Sequence, residues 1–110
     1  VIAAFPIIDY QYTHAYTQQK HIKESLDTFF ANRINGTYAN CSPITYINMI
    51  NSNNNITILV GHNDTHVGNV PILNYYNKLK CKKAIYTYNV DHTFNTITDQ
   101  WREILTSFLS

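Results

Sequence analysis

Two short apolar runs organise the hydrophobic pattern of this chain. Ile56-Thr57-Ile58-Leu59-Val60-Gly61 and Ala84-Ile85-Tyr86-Thr87-Tyr88-Asn89-Val90 are β-branched or aromatic and too short for an ordinary helix. Each therefore predicts a strand, the first one buried. Between them, residues 71–80 open on a proline, which suits the first position of a helix, and close on lysines, which suit a helix's negative end. The unit is strand, helix, strand. Upstream, the stretch from Val1 to Ile8 predicts another strand, followed by a loop over residues 9–12. From His21 to Phe30 an apolar stripe of Ile22, Leu26, Phe29 and Phe30 faces away from Lys20, Lys23, Glu24 and Asp27, which predicts a helix beginning as early as Thr13 and stopped by Asn35-Gly36. Irregular chain to Ser42-Pro43, a helical turn over residues 46–50 and a surface turn in the asparagine run 51–55 lead into the second strand. A closing helix, capped by Thr96 or Thr98, is expected to bury Trp101, Ile104, Leu105 and Phe108. The expected class is α/β, three mainly parallel strands flanked by helices, with no repeat and no dividing linker.

The candidate chemistry falls at the ends of the strands. Asp64 lies just past one strand and His92 just past the next, so a parallel crossover brings both to the carboxyl edge of the sheet, where open α/β sheets place their sites. A carboxylate bonded to one imidazole nitrogen fixes the tautomer and leaves the other nitrogen to take a proton from a nucleophile. Taken alone, Asp64 also reads as a turn residue after Asn63, and His92 as a residue packed under the last helix; the paired spacing favours the catalytic reading. Asp91 is a rival acid, ranked second because the side chains of adjacent residues tend to point apart. His62, Asp64 and His66 alternate along the chain and form a weaker candidate ligand set for a metal such as zinc. Tyr10 and Tyr12, in the loop expected at the same edge, are candidates for lining a substrate pocket.

The stretch from Ile56 to Phe94, with its Gly61-His62-Asn63-Asp64-Thr65-His66-Val67 and Asp91-His92-Thr93-Phe94 loops, resembles the end of an α/β-hydrolase, most closely the prolyl oligopeptidase and dienelactone hydrolase branches. The segment from Val1 to Tyr10 is similar to the strand after that family's nucleophile helix, Ser42-Pro43-Ile44-Thr45-Tyr46-Ile47 to the approach to the acid-bearing strand, and residues 98–109 to the closing helix, so the likeness covers nearly the whole chain. It implies a serine hydrolase that cleaves an ester or peptide bond, with Asp64 and His92 as acid and base and no cofactor. The nucleophile elbow G-x-S-x-G is missing, since Gly36, Gly61 and Gly68 are the only glycines, and none of Ser25, Ser42, Ser52, Ser107 or Ser110 sits in such a motif. The resemblance places the serine upstream of Val1. Residues 1–110 are then a single partial domain, the carboxyl-terminal portion of the catalytic domain, inactive in isolation. Its partner is expected to be the missing amino-terminal part, or a second copy, paired along the strand from Val1 to Ile8. The alternative is a catalytically inactive α/β binding domain or subunit.

A length of 110 residues suits one modest core. Net charge is +1 and the basic residues are scattered apart from Lys78, Lys80, Lys82 and Lys83, which is no nucleic-acid footprint. No membrane-spanning run or secretory signal is present, and localisation stays open with the cytoplasm favoured. Cys41 and Cys81 are too few for a disulfide framework and are expected to be free thiols. Asn35, Asn40, Asn55 and Asn63 fall in glycosylation patterns that chance explains in so asparagine-rich a chain, and a glycan at Asn63 would crowd the candidate site.

Overall fold

The computed structural model describes residues 1–31, 37–92 and 98–109, the side chains of 98–101 excepted. Strands β1 (Ile2–Ala4), β2 (Asn55–Gly61) and β3 (Lys82–Tyr88) form one parallel sheet in the order β1-β2-β3. Helices α1 (Tyr10–Tyr16), α2 (Lys20–Ala31) and α3 (Tyr38–Cys41) and a 3-10 segment (Pro43–Met49) carry the chain from β1 to β2. Helix α4 (Val70–Lys78) makes the crossover to β3, and α5 (Thr98–Leu109) follows it.

The centre of the sheet is β2, and its alternation divides the core. Ile56, Ile58 and Val60 point to one face, where Ile72 and Tyr75 of α4 meet them with Leu79 and Ile8. Leu59 points to the other, against Phe5 and Ile104 of α5. Burial on both faces is why this strand reads as a continuous apolar run. Register aligns Ile58 with Ala3 on one side and with Ile85 on the other.

Several boundaries differ from the sequence expectation for local reasons. The first strand stops at Ala4 because Phe5 takes a positive φ of 50°, a left-handed conformation costly for an aromatic residue, and Pro6 then has no amide to donate. Residues 9–12 are not a loop. Asp9 caps α1 by accepting from the Tyr12 amide at 3.1 Å, so the helix starts at Tyr10 and ends at Tyr16, separate from α2. The stripe on α2 buries only Leu26, with Phe29 exposed. On α5 Ile104 is buried but Leu105 is 43% exposed, outside the narrow strip that the sheet covers. The expected stop at Asn35-Gly36, the Thr96 and Thr98 caps and the burial of Trp101 lie outside the described residues. Cys41 and Cys81 are both free. Among the described residues no helix is long and apolar enough to cross a membrane.

Candidate active site

Two loops leave the carboxyl edge of the sheet side by side. The loop after β2 runs from His62 to Asn69, and the described part of the loop after β3 from Asn89 to His92. Main chain stitches them together, the His62 amide donating to the Tyr88 carbonyl at 2.7 Å and the Asn63 amide to the Val90 carbonyl at 3.1 Å. The Asn63 side chain adds a bond to that of Asn89 at 2.7 Å. Such close approach requires glycine at position 61, because a Cβ there would lie 2.8 Å from the Val90 carbonyl oxygen and closer still to that of Asp91.

Asp64 and His92, 28 positions apart in sequence, meet across these loops with Nδ1 of His92 2.9 Å from Oδ2 of Asp64. The Asp64 side chain is 1% exposed and that of His92 33%. Oδ1 of Asp64 accepts from the amides of His66 at 2.8 Å and Val67 at 2.9 Å, so the carboxylate is aimed by its own loop. Tyr16 donates to the Asp64 carbonyl at 2.9 Å and Thr13 to the Val67 carbonyl at 3.2 Å, which pins the back of that loop to α1. A carboxylate only accepts, so this contact suits an imidazole with its proton on Nδ1 and Nε2 turned away from the acid. A pair in this arrangement can serve as an oriented general base. Phe5 packs against the His92 ring, centroids 5.3 Å apart, so the strained residue that ends β1 faces the candidate base from outside the strand.

Asp91 does not compete for the His92 ring. Its carboxylate accepts from the Thr65 amide and hydroxyl, both at 2.8 Å, from the His92 amide at 2.7 Å, and bonds Nδ1 of His66 at 3.2 Å. Burial pushes the Asp91 carboxyl up, but the bonds from Thr65, the His66 ring and the His92 amide outweigh it and bring its pKa from 3.8 to about 2. A carboxylate held below its unfolded value stabilises the fold above pH 3.8, and that contribution disappears as pH falls through about 2. The side chain is 43% exposed, so after solvent screening the effect is about 1 kcal/mol. Asp91→Asn is expected to lose that much in urea unfolding at pH 7, with the gap to the parent protein closing between pH 3.8 and about 2.

The remaining sequence candidates separate. Among the described residues the metal-capable atoms that fall together belong to Asp64, His66 and Asp91, within 4.8 Å of one another, whereas His62 is exposed and outside that group. The oxygens of both carboxylates already accept the bonds given above, so a cation would have to displace them. Tyr10 packs edge-on against Phe30 of α2 at 5.7 Å, on the side of the helices. Tyr12 stacks on Tyr16 at 5.5 Å and closes over Gly68, whose φ of 76° and lack of a side chain admit the two rings. Burial, then the neighbouring Tyr16, push the Tyr12 hydroxyl's pKa up. Ser42 is buried away from the loops, accepting from the Tyr10 amide at 2.9 Å. The roles of Thr65 and Phe5 had no signature in the sequence, because both depend on which loop lies opposite.

No protein-family model matches the chain, and no curated protein does. Among solved structures, an esterase of Pyrococcus furiosus superposes with a TM-score of 0.62 at 21% identity, over 98% of this chain and 42% of the esterase chain. The fold is therefore esterase-like, a parallel α/β sheet flanked by helices. The chain spans less than half the length of that neighbour.

Proposed function

We propose that this chain supplies the acid and the histidine of a serine hydrolase of the α/β-hydrolase superfamily, the nucleophile being carried by a segment upstream of Val1. The observation that carries this reading is the 2.9 Å bond between His92 and a buried Asp64 at the carboxyl edge of a parallel sheet. In the complete site Nε2 of His92 takes the proton of the serine hydroxyl as the oxygen attacks a carbonyl carbon, then returns it to the leaving group. Asp64 holds the tautomer and stabilises the imidazolium formed between those steps. We take the substrate to be a carboxylic ester, which the esterase neighbour favours, over the peptide bond to which prolyl oligopeptidase-like enzymes point.

A segment carrying the nucleophile would have an open strand edge to join. The order β1-β2-β3 leaves β1 at an edge, and beside it an apolar cavity of about 300 Å³ is lined by Val1, Ala3, Ile8, Ile56, Ile58 and Tyr75. A strand added at that edge would satisfy the backbone of β1. The test is fluorophosphonate labelling of the complete protein. We expect one modified serine, located upstream of Val1 by peptide mapping, together with turnover of short-chain nitrophenyl esters. A folded complete protein that neither labels nor turns over esters would leave an inactive binding domain and sink the hydrolase reading.

A further inference from the structure

We propose that His66 is a positioning residue for His92, a second imidazole anchored by its own carboxylate that holds the ring of the candidate base in plane. This deepens the hydrolase reading and rests on it for its kinetic consequence.

The Cβ–Cγ bond and the bond from Nδ1 to Asp64 hold the His92 ring along one edge and leave it a tilt about that edge. The His66 ring lies against it with centroids 5.2 Å apart and planes 27° apart, a near-parallel stack. Phe5 meets the His92 ring at 5.3 Å with a tilt of 57°. Two aromatic neighbours at different angles, added to one hydrogen bond, define the plane as well as the position.

His66 is held for this task. Its amide donates to Oδ1 of Asp64 and its Nδ1 lies 3.2 Å from Oδ1 of Asp91. Asp91 is in turn locked by the Thr65 amide and hydroxyl. The same Asp91 oxygen accepts from the His92 amide at 2.7 Å, so one carboxylate sets both the His66 ring and the backbone from which the His92 ring projects. His21, on the first turn of α2, meets the His66 ring edge-on at 6.0 Å and limits its motion from outside. Two histidine–carboxylate pairs, His92 with Asp64 and His66 with Asp91, are stacked, and only the first is addressed to a nucleophile.

The test uses the complete protein labelled with ¹⁵N at histidine. Two-bond proton–nitrogen spectra of the unsubstituted protein should show His92 in the single Nδ1–H tautomer with a slowly exchanging downfield proton. In His66→Ala that proton should exchange at least tenfold faster and the second tautomer should appear. His66→Phe, which keeps a ring in the stack but loses the bond to Asp91, should bring the spectrum part of the way back to the parent, and Asp91→Asn, which keeps the ring but weakens its anchor, should move it in the direction of His66→Ala by a smaller amount. In turnover, His66→Ala should lower kcat about tenfold with KM unchanged, and His66→Phe should recover part of that loss. Unchanged His92 signals in a folded His66→Ala protein would overturn the proposal, as would a His66→Phe protein as disturbed as the alanine variant. If His66→Ala does not fold, Asp91→Asn decides, and parent-like His92 signals in it would overturn the proposal. An unsubstituted protein without turnover removes the hydrolase reading but leaves the spectroscopic result to stand or fall by itself.

Discussion

His92→Ala in the complete protein is expected to lower kcat on the order of 10⁴-fold or more, with a far smaller change in KM. The side chain is 33% exposed and lies at the sheet edge, so its removal takes little from the core and the loss is one of chemistry. Asp64→Asn should produce a similar loss by a different route. Its oxygen keeps the two amides of His66 and Val67, which turns the new NH₂ toward Nδ1 of His92. Nδ1 must then accept, the proton moves to Nε2, and the nitrogen facing the nucleophile can no longer take one. Steady-state ester hydrolysis by the two variants, with thermal unfolding alongside, checks both. Retention of more than about a tenth of the parent kcat in either would exclude the base and acid roles assigned here.

Gly61→Ala should be the most damaging conservative change in the loops. The added Cβ would press on the carbonyl oxygens of Val90 and Asp91, both main-chain atoms that cannot swing away. Relief requires the loop after β3 to move, which strains the bonds from the His62 and Asn63 amides and carries His92 away from Asp64. The expected cost is about 3 kcal/mol in urea unfolding, in the range of overpacked cores. A Gly61→Ala protein of parent stability with an intact His92 Nδ1–H signal would show that the loops are not pressed together as described.

The parts of the fold that sequence reveals are those dictated by one element at a time. β2 and β3 are visible as apolar runs, and α4 through its opening proline and closing lysines. The shared edge of Asp64 and His92 then follows from crossover topology, because parallel neighbours present their carboxyl ends together. What stays hidden depends on pairs of elements. Residues 9–12 read as a loop, and the helix that Asp9 caps there shows only in the bond from its carboxylate to the Tyr12 amide. The turn-out of Phe5 has no signature, since nothing in an apolar run forecasts a left-handed aromatic residue. By sequence Asp91 reads as an acid for the ring of its neighbour, whereas its side-chain partners are Thr65 and His66 on the opposite loop and it meets His92 only at the amide. That choice is made by the register between loops, which Gly61 sets by letting main chain approach main chain. Leu105 shows the limit of periodicity: the helical pattern gives a direction but not the width of the surface that covers it.

The bonds that aim Asp64 separate what the two residues of the pair depend on. Both donors to Oδ1 lie within three residues of the aspartate, so the carboxylate takes its orientation from its own loop. His92 is placed by the other loop, through its amide's bond to Asp91 and the main-chain bonds of His62 and Asn63 to Tyr88 and Val90. Substitutions in the loop after β3 should therefore displace the imidazole while leaving the acceptor that faces it in position.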